Sequence, residues 1–112
     1  MVEELLKKVS NSGGYAVLKA LKDSEKRWTD LVNQLGIDKS TIWRRLNDFE
    51  KSYLVEAIYD RKLKAPLYKL TPLGLKILEK LEEIEKVYEE EMKKVPPKEP
   101  EEFLKGGEGE RS

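Results

Sequence analysis

Ser40, Arg44, Asn47 and Lys51 recur at spacings of four, three and four residues. In a helix turning about 100° per residue, that spacing puts the four side chains on one face. Lys39, Thr41, Trp43 and Arg45 lie on its flanks. The face offers hydrogen-bonding groups and positive charge, with no acid at its centre. An Arg guanidinium can take two acceptors of one guanine edge, and an Asn amide can do the same for adenine. Ser and Thr near a helix start can meet phosphates or bases. Such a helix fits the major groove of duplex DNA. A second basic group, Arg61, Lys62 and Lys64, suits flanking phosphates or the minor groove.

The face must be positioned by what lies behind it. Ile42, Leu46 and Phe49 are spaced four and three apart and share the opposite side of the same helix. Upstream, Leu31, Val32 and Leu35 make the apolar stripe of a short helix, with Thr29 as its expected N-cap and Asp30 at its positive end. Gly36 stops that helix, Ile37 plugs the turn, and Asp38 caps the next helix, which should run to about Lys51. Two helices joined by a Gly-containing turn make a helix-turn-helix.

Two amphipathic helices are expected before it, over 2–10 and from Tyr15 to about Lys22, separated by the breaker run Asn11-Ser12-Gly13-Gly14. After it, residues 54–59 and 67–70 are rich in strand formers, and a charged connection between them reads as a hairpin. Pro66 fits its tip or an edge. Thr71-Pro72 is a strong helix start, and the helix should reach about Lys94. The expected fold class is α+β, mainly α. The expected organisation is a DNA-binding domain over 1–71, a dimerisation helix over 72–95 and a disordered acidic tail over 96–112, in which Phe103-Leu104 would be a short anchor only if the chain were a protein-interaction module.

On the last helix Ile77, Leu81, Ile84 and Tyr88 alternate four and three apart, as in a coiled-coil seam widened by Leu78, Val87 and Met92. Gly74 and Glu91 interrupt the register at its ends. Beyond Leu81 little domain remains to cover, so the seam points to a homodimer. A two-fold pair of reading helices matches an inverted repeat with half-sites about one helical turn apart.

Composition narrows the alternatives. The 112 residues contain no Cys and no His. Disulfides, thiol redox sensing, Cys/His zinc sites and Ser-His or Cys-His catalysis are therefore closed to the chain, leaving only carboxylate chemistry. With no Gly-rich phosphate loop and no metal-ligand spacing, neither an enzyme nor a cofactor is expected. Basic and acidic residues number 22 each, but they are unevenly distributed. Residues 1–37 carry a balance of +1, residues 38–70 of +3, and residues 71–112 of −4. The reading face thus falls in the basic third. No run approaches ~18 apolar residues, and the N-terminus lacks a secretory pattern, so a cytoplasmic, non-membrane protein is expected. Lys and Glu dominate the charged residues, a composition that leans towards a thermophilic source. No residue points to a small-molecule effector.

The run LGIDKSTIWRRLNDFEKSYLVE resembles the recognition segment of winged helix-turn-helix transcription regulators of the MarR, ArsR and HxlR type. Ser40, Thr41, Ile42 and Arg44 match its first part, and Leu46, Phe49, Glu50, Leu54 and Val55 its second. Tyr53 stands where Gly is usual. YKLTPLGLKIL resembles the "Y.LT..G" stretch that closes the wing. The resemblance spans about Tyr15 to Leu81. It implies a two-stranded wing, a major-groove set of Ser40, Thr41, Trp43, Arg44 and Asn47, and a wing set of Arg61, Lys62 and Lys64. It also implies a transcription regulator, with a repressor that blocks promoter access as the expected mode. Winged helices also serve as protein-interaction modules that never touch DNA. That is the competing reading, and the charge of the reading face discriminates between the two.

Overall fold

The structure is a computed structural model and describes residues 1–59, 61, 62 and 64–96. Its elements run α1 (Val2–Ser10), α2 (Gly14–Asp23), α3 (Trp28–Leu35), α4 (Lys39–Lys51), β1 (Val55–Ile58), β2 (Leu67–Leu70) and α5 (Pro72–Met92). The order and type of every element agree with the periodicity. The expected tail, including Phe103-Leu104, lies outside the described residues, apart from exposed Pro96.

Met1–Leu81 forms one unit and a second begins at Glu82. The first segment of α5, Pro72–Leu81, belongs to the first unit. The reason is burial, because Gly74 and Leu78 are both enclosed. In the first unit, Val17, Leu18 and Leu21 of α2 pack with Leu31 of α3 and with Ile42, Leu46 and Phe49 of α4. Val9, Ala20, Leu54, Val55, Tyr68 and Leu78 complete the core. At about 25 cal/mol per Å² of apolar surface, these side chains hold α4 against the rest of the domain.

The entry to α3 corrects one expectation. Arg27, not Thr29, is the N-cap, and Thr29 lies exposed within the helix. An acid in the first turn does the capping. Asp30 Oδ2 accepts the Arg27 backbone N–H at 3.1 Å and faces Arg27 Nε at 3.4 Å. These bonds, the backbone one foremost, hold the Asp30 carboxyl below the usual carboxylate range. Gly36 ends α3 with φ +64°, the left-handed turn its position requires.

The wing is antiparallel, pairing Val55 with Leu70, Glu56 with Lys69, Ala57 with Tyr68 and Ile58 with Leu67. Lys26, just ahead of α3, also pairs with Tyr68, exchanging backbone bonds of 3.0 and 2.8 Å. A one-residue bridge carries no sequence signature, but it fastens the wing to the start of the helix-turn-helix. Asp60 and Leu63, in the hairpin connection, lie outside the described residues.

The α4–β1 junction meets the start of α5 through backbone. Tyr53 is the one described non-Gly residue with positive φ, at +64°. Its carbonyl accepts the Thr71 hydroxyl at 2.6 Å, and Thr71 Oγ1 in turn accepts the Gly74 N–H at 2.9 Å. Thr71 thus acts as the expected N-cap of α5.

Candidate nucleic-acid interface

The exposed face of α4 stands on a buried stripe. Ile42 and Phe49 are fully enclosed and Leu46 nearly so, so the rotation of α4 about its axis is fixed. On the opposite side Lys39, Ser40, Trp43, Arg44, Asn47 and Lys51 are exposed, with Thr41 half-buried at the edge. Asp38 caps the helix, accepting the N–H of Ser40 at 3.1 Å and of Thr41 at 3.3 Å. The Ser40 hydroxyl also donates to this carboxylate. Ser40's hydroxyl first, then Thr41's N–H, hold the Asp38 carboxyl below its ordinary range, and nearby Arg44 adds to the effect. The acid nearest the face is therefore occupied by the helix's own first turn.

Arg45 does not join the others. Its side chain is 12% exposed and pairs with Asp48 at 3.3 Å. With the Asn11 amide oxygen turned towards it, Arg45 donates a second bond at 3.0 Å, to the α1–α2 turn. The helical wheel accounts for this, because Arg45 lies only about 40° from the Phe49 direction. It is a tie between α4 and the N-terminal helices.

Trp43 is half exposed, at 49%. Its ring meets Trp28 edge to face, with centroids 6.1 Å apart and planes at 68°. Trp28 Nε1 donates to the Lys39 carbonyl at 3.1 Å, which anchors the pair to the first turn of α4. A cleft of ≈ 260 Å³ opens beside them, with Tyr59, Pro66 and Tyr68 on its wing side. Neither Trp28 nor Tyr59 was marked by the sequence, since neither falls into a helical or alternating pattern with Trp43.

Arg61, Lys62 and Lys64 are all exposed in the connection between β1 and β2. Of the seam residues, Ile77 and Leu81 pack partly against the domain's own core. In the second unit Ile84, Val87 and Tyr88 are exposed, at 64%, 59% and 65%. Among the described residues no cluster of acidic side chains could hold a metal ion, and no helix is long and apolar enough to cross a membrane.

Helices α2 and α3, the turn at Gly36, α4 and the two-stranded hairpin, in this order, define a winged helix-turn-helix, the fold of a large class of transcription regulators. Residues 4–89 match the model of the N-terminal domain of the methanogenesis regulatory protein FilR1, and the chain belongs to that family. Its fold is shared by solved structures. The transcriptional repressor BigR of Xylella fastidiosa is 27% identical over 74% of this chain and 81% of its own, with TM-score 0.63. The protein ytfH of Salmonella typhimurium is 25% identical over 84% and 86%, with TM-score 0.68. The homodimeric winged helix-turn-helix DNA-binding domain Mb0332 of Mycobacterium bovis is 16% identical over 88% and 87%, with TM-score 0.67. None of the curated proteins compared with the chain matches it.

Proposed function

We propose that this protein is a homodimeric, sequence-reading regulator of transcription that binds an inverted repeat in double-stranded DNA and represses by occupying the promoter. The observation that carries the reading is the two-sided character of α4. Its apolar stripe is fully enclosed, while Lys39, Ser40, Trp43, Arg44 and Asn47 face solvent with Asp38 already engaged as the cap. Arg44 and Asn47 are the base-reading residues, with Ser40 and Thr41 near the helix start serving phosphates or bases. Arg61, Lys62 and Lys64 hold flanking phosphates or the minor groove, and that contact is sequence-independent and salt-sensitive. Pairing through Ile84 and Tyr88, exposed in the second unit, supplies the two-fold, with Ile77 and Leu81 at the seam's start. The repressor mode is supported by the similarity to BigR, described as a transcriptional repressor. Membership of a regulatory family supports DNA as the partner.

The test is fluorescence anisotropy on duplexes enriched by selection and on a random duplex, each at two salt concentrations. The expected result is tight, salt-dependent binding to an enriched inverted repeat with two protomers bound. Sequence-blind binding would make the protein an architectural DNA binder. Absence of binding at low salt would make it a protein-interaction module.

A further inference from the structure

We propose that Trp43 reads the 5-methyl group of a thymine in the bound DNA, and that Trp28 is the residue that positions it. The inference rests on the reading of α4 as the groove helix. Trp43 stands one helical turn from Lys39 and one from Asn47, between two exposed polar side chains. An apolar ring in a hydrogen-bonding row needs an apolar partner, and the only apolar group on the base edges of the major groove is the thymine methyl.

The ring is also fixed in place. Trp28 meets it edge to face at 6.1 Å, a geometry favoured by the ring quadrupoles. Trp28 is itself tied by its indole N–H to the Lys39 carbonyl at 3.1 Å. One part of the Trp43 surface is thus held against protein and the remainder is open, as 49% exposure records. A mobile surface indole would adapt to any base. A braced one presents a plate at a defined depth, and a pyrimidine with or without a methyl then differs by one buried CH₃. Exposed basic groups of the same unit, Arg44 on α4 and Arg61 and Lys64 in the wing, would draw in a polyanion.

The experiment replaces each thymine of the selected duplex by deoxyuridine, one position per half-site at a time, and measures affinity for the full-length protein. One thymine per half-site should matter, with a loss of about fourfold per methyl removed, the equivalent of one buried methylene-sized group. Trp43→Ala should bind the thymine and deoxyuridine duplexes equally. Trp43→Phe, which keeps an aromatic plate and guards against a folding artefact, should retain part of the ratio. Trp28→Ala should lower the thymine/deoxyuridine ratio while leaving the salt dependence of random-duplex binding unchanged.

If no substitution changes wild-type affinity while the duplex is still bound specifically, the methyl-reading role is overturned and the DNA-binding reading survives. The same conclusion follows if Trp43→Ala weakens both duplexes alike with the ratio intact, since the ring then touches sugar. An unchanged ratio in Trp28→Ala overturns the positioning role. If no duplex is bound specifically, the reading of α4 falls, and this proposal with it.

Discussion

A Cβ added to Gly74 would lie 1.9 Å from the carbonyl oxygen of Leu54. The start of α5 therefore rests on the backbone that leaves α4, at a distance only a glycine allows. This contact explains why a glycine sits three residues after Thr71 inside a helix, where it would ordinarily weaken the element. In an open helix, Gly→Ala gains about 1 kcal/mol. Here Gly74→Ala should instead lose roughly 1–3 kcal/mol, the range for overpacking against atoms that cannot swing aside. Urea unfolding measures it, and a gain in stability would mean that α5 can lift away freely.

Tyr53 should behave in the opposite way. Its φ of +64° is the left-handed region, and its side chain is 76% exposed, with little packing to lose. Tyr53→Gly should raise stability by about 0.5–1 kcal/mol, the left-handed penalty less the added entropy of the unfolded chain. A lower denaturation midpoint would show that the exposed ring has a contact role of its own.

Arg44 and Lys64 separate reading from holding. Arg44→Ala should cost about 1–3 kcal/mol on the selected duplex and much less on a random one. Lys64→Ala should weaken both duplexes alike and reduce the salt slope by about one. Equal losses on both duplexes for Arg44→Ala would remove it from the base-reading set.

The seam can be tested at its exposed end. Ile84→Glu places a charge where the second unit offers Ile84 at 64% exposure. Sedimentation velocity should show monomers, while the unfolding free energy of the Met1–Leu81 unit stays within about 0.5 kcal/mol, as for ordinary surface changes. A mutant that remains dimeric would move the pairing surface elsewhere.

Asp38 gives a pH dependence of definite sign. Its carboxyl is held below the ordinary value of 3.8 by Ser40 and Thr41. A depressed carboxylate contributes stability above its unfolded pKa and loses it as pH falls through the lower folded value. Asp38→Asn should therefore be less stable than wild type at pH 6, with the gap closing below pH ~3.8. A gap that persisted undiminished at pH 2 would assign the difference to something other than the cap's charge.

Much of this molecule was legible in its sequence because its signals are periodic or local. The stripe of Ile42, Leu46 and Phe49 fixed which side of α4 faces out, and Gly36, Asp38 and Thr71 marked the element boundaries where they fall. What was missed is non-periodic. The cap of α3 comes from Asp30 reaching back to Arg27, a backbone bond that Thr29, the more conventional cap, obscured. Arg45 was grouped with the reading face by its charge, although its angle on the helix already placed it near Phe49. The brace between Trp28 and Trp43 joins residues from different helices, and no spacing within either helix predicts that they meet.

The Thr71 hydroxyl makes both of its bonds to main chain, the carbonyl of Tyr53 and the N–H of Gly74. Every amino acid supplies that carbonyl. A change of side chain at residue 53 therefore leaves the joint intact. Residues 71 and 74 have no such latitude. A change of side chain where the chain leaves α4 therefore leaves the start of α5 with its footing on the same main-chain atoms.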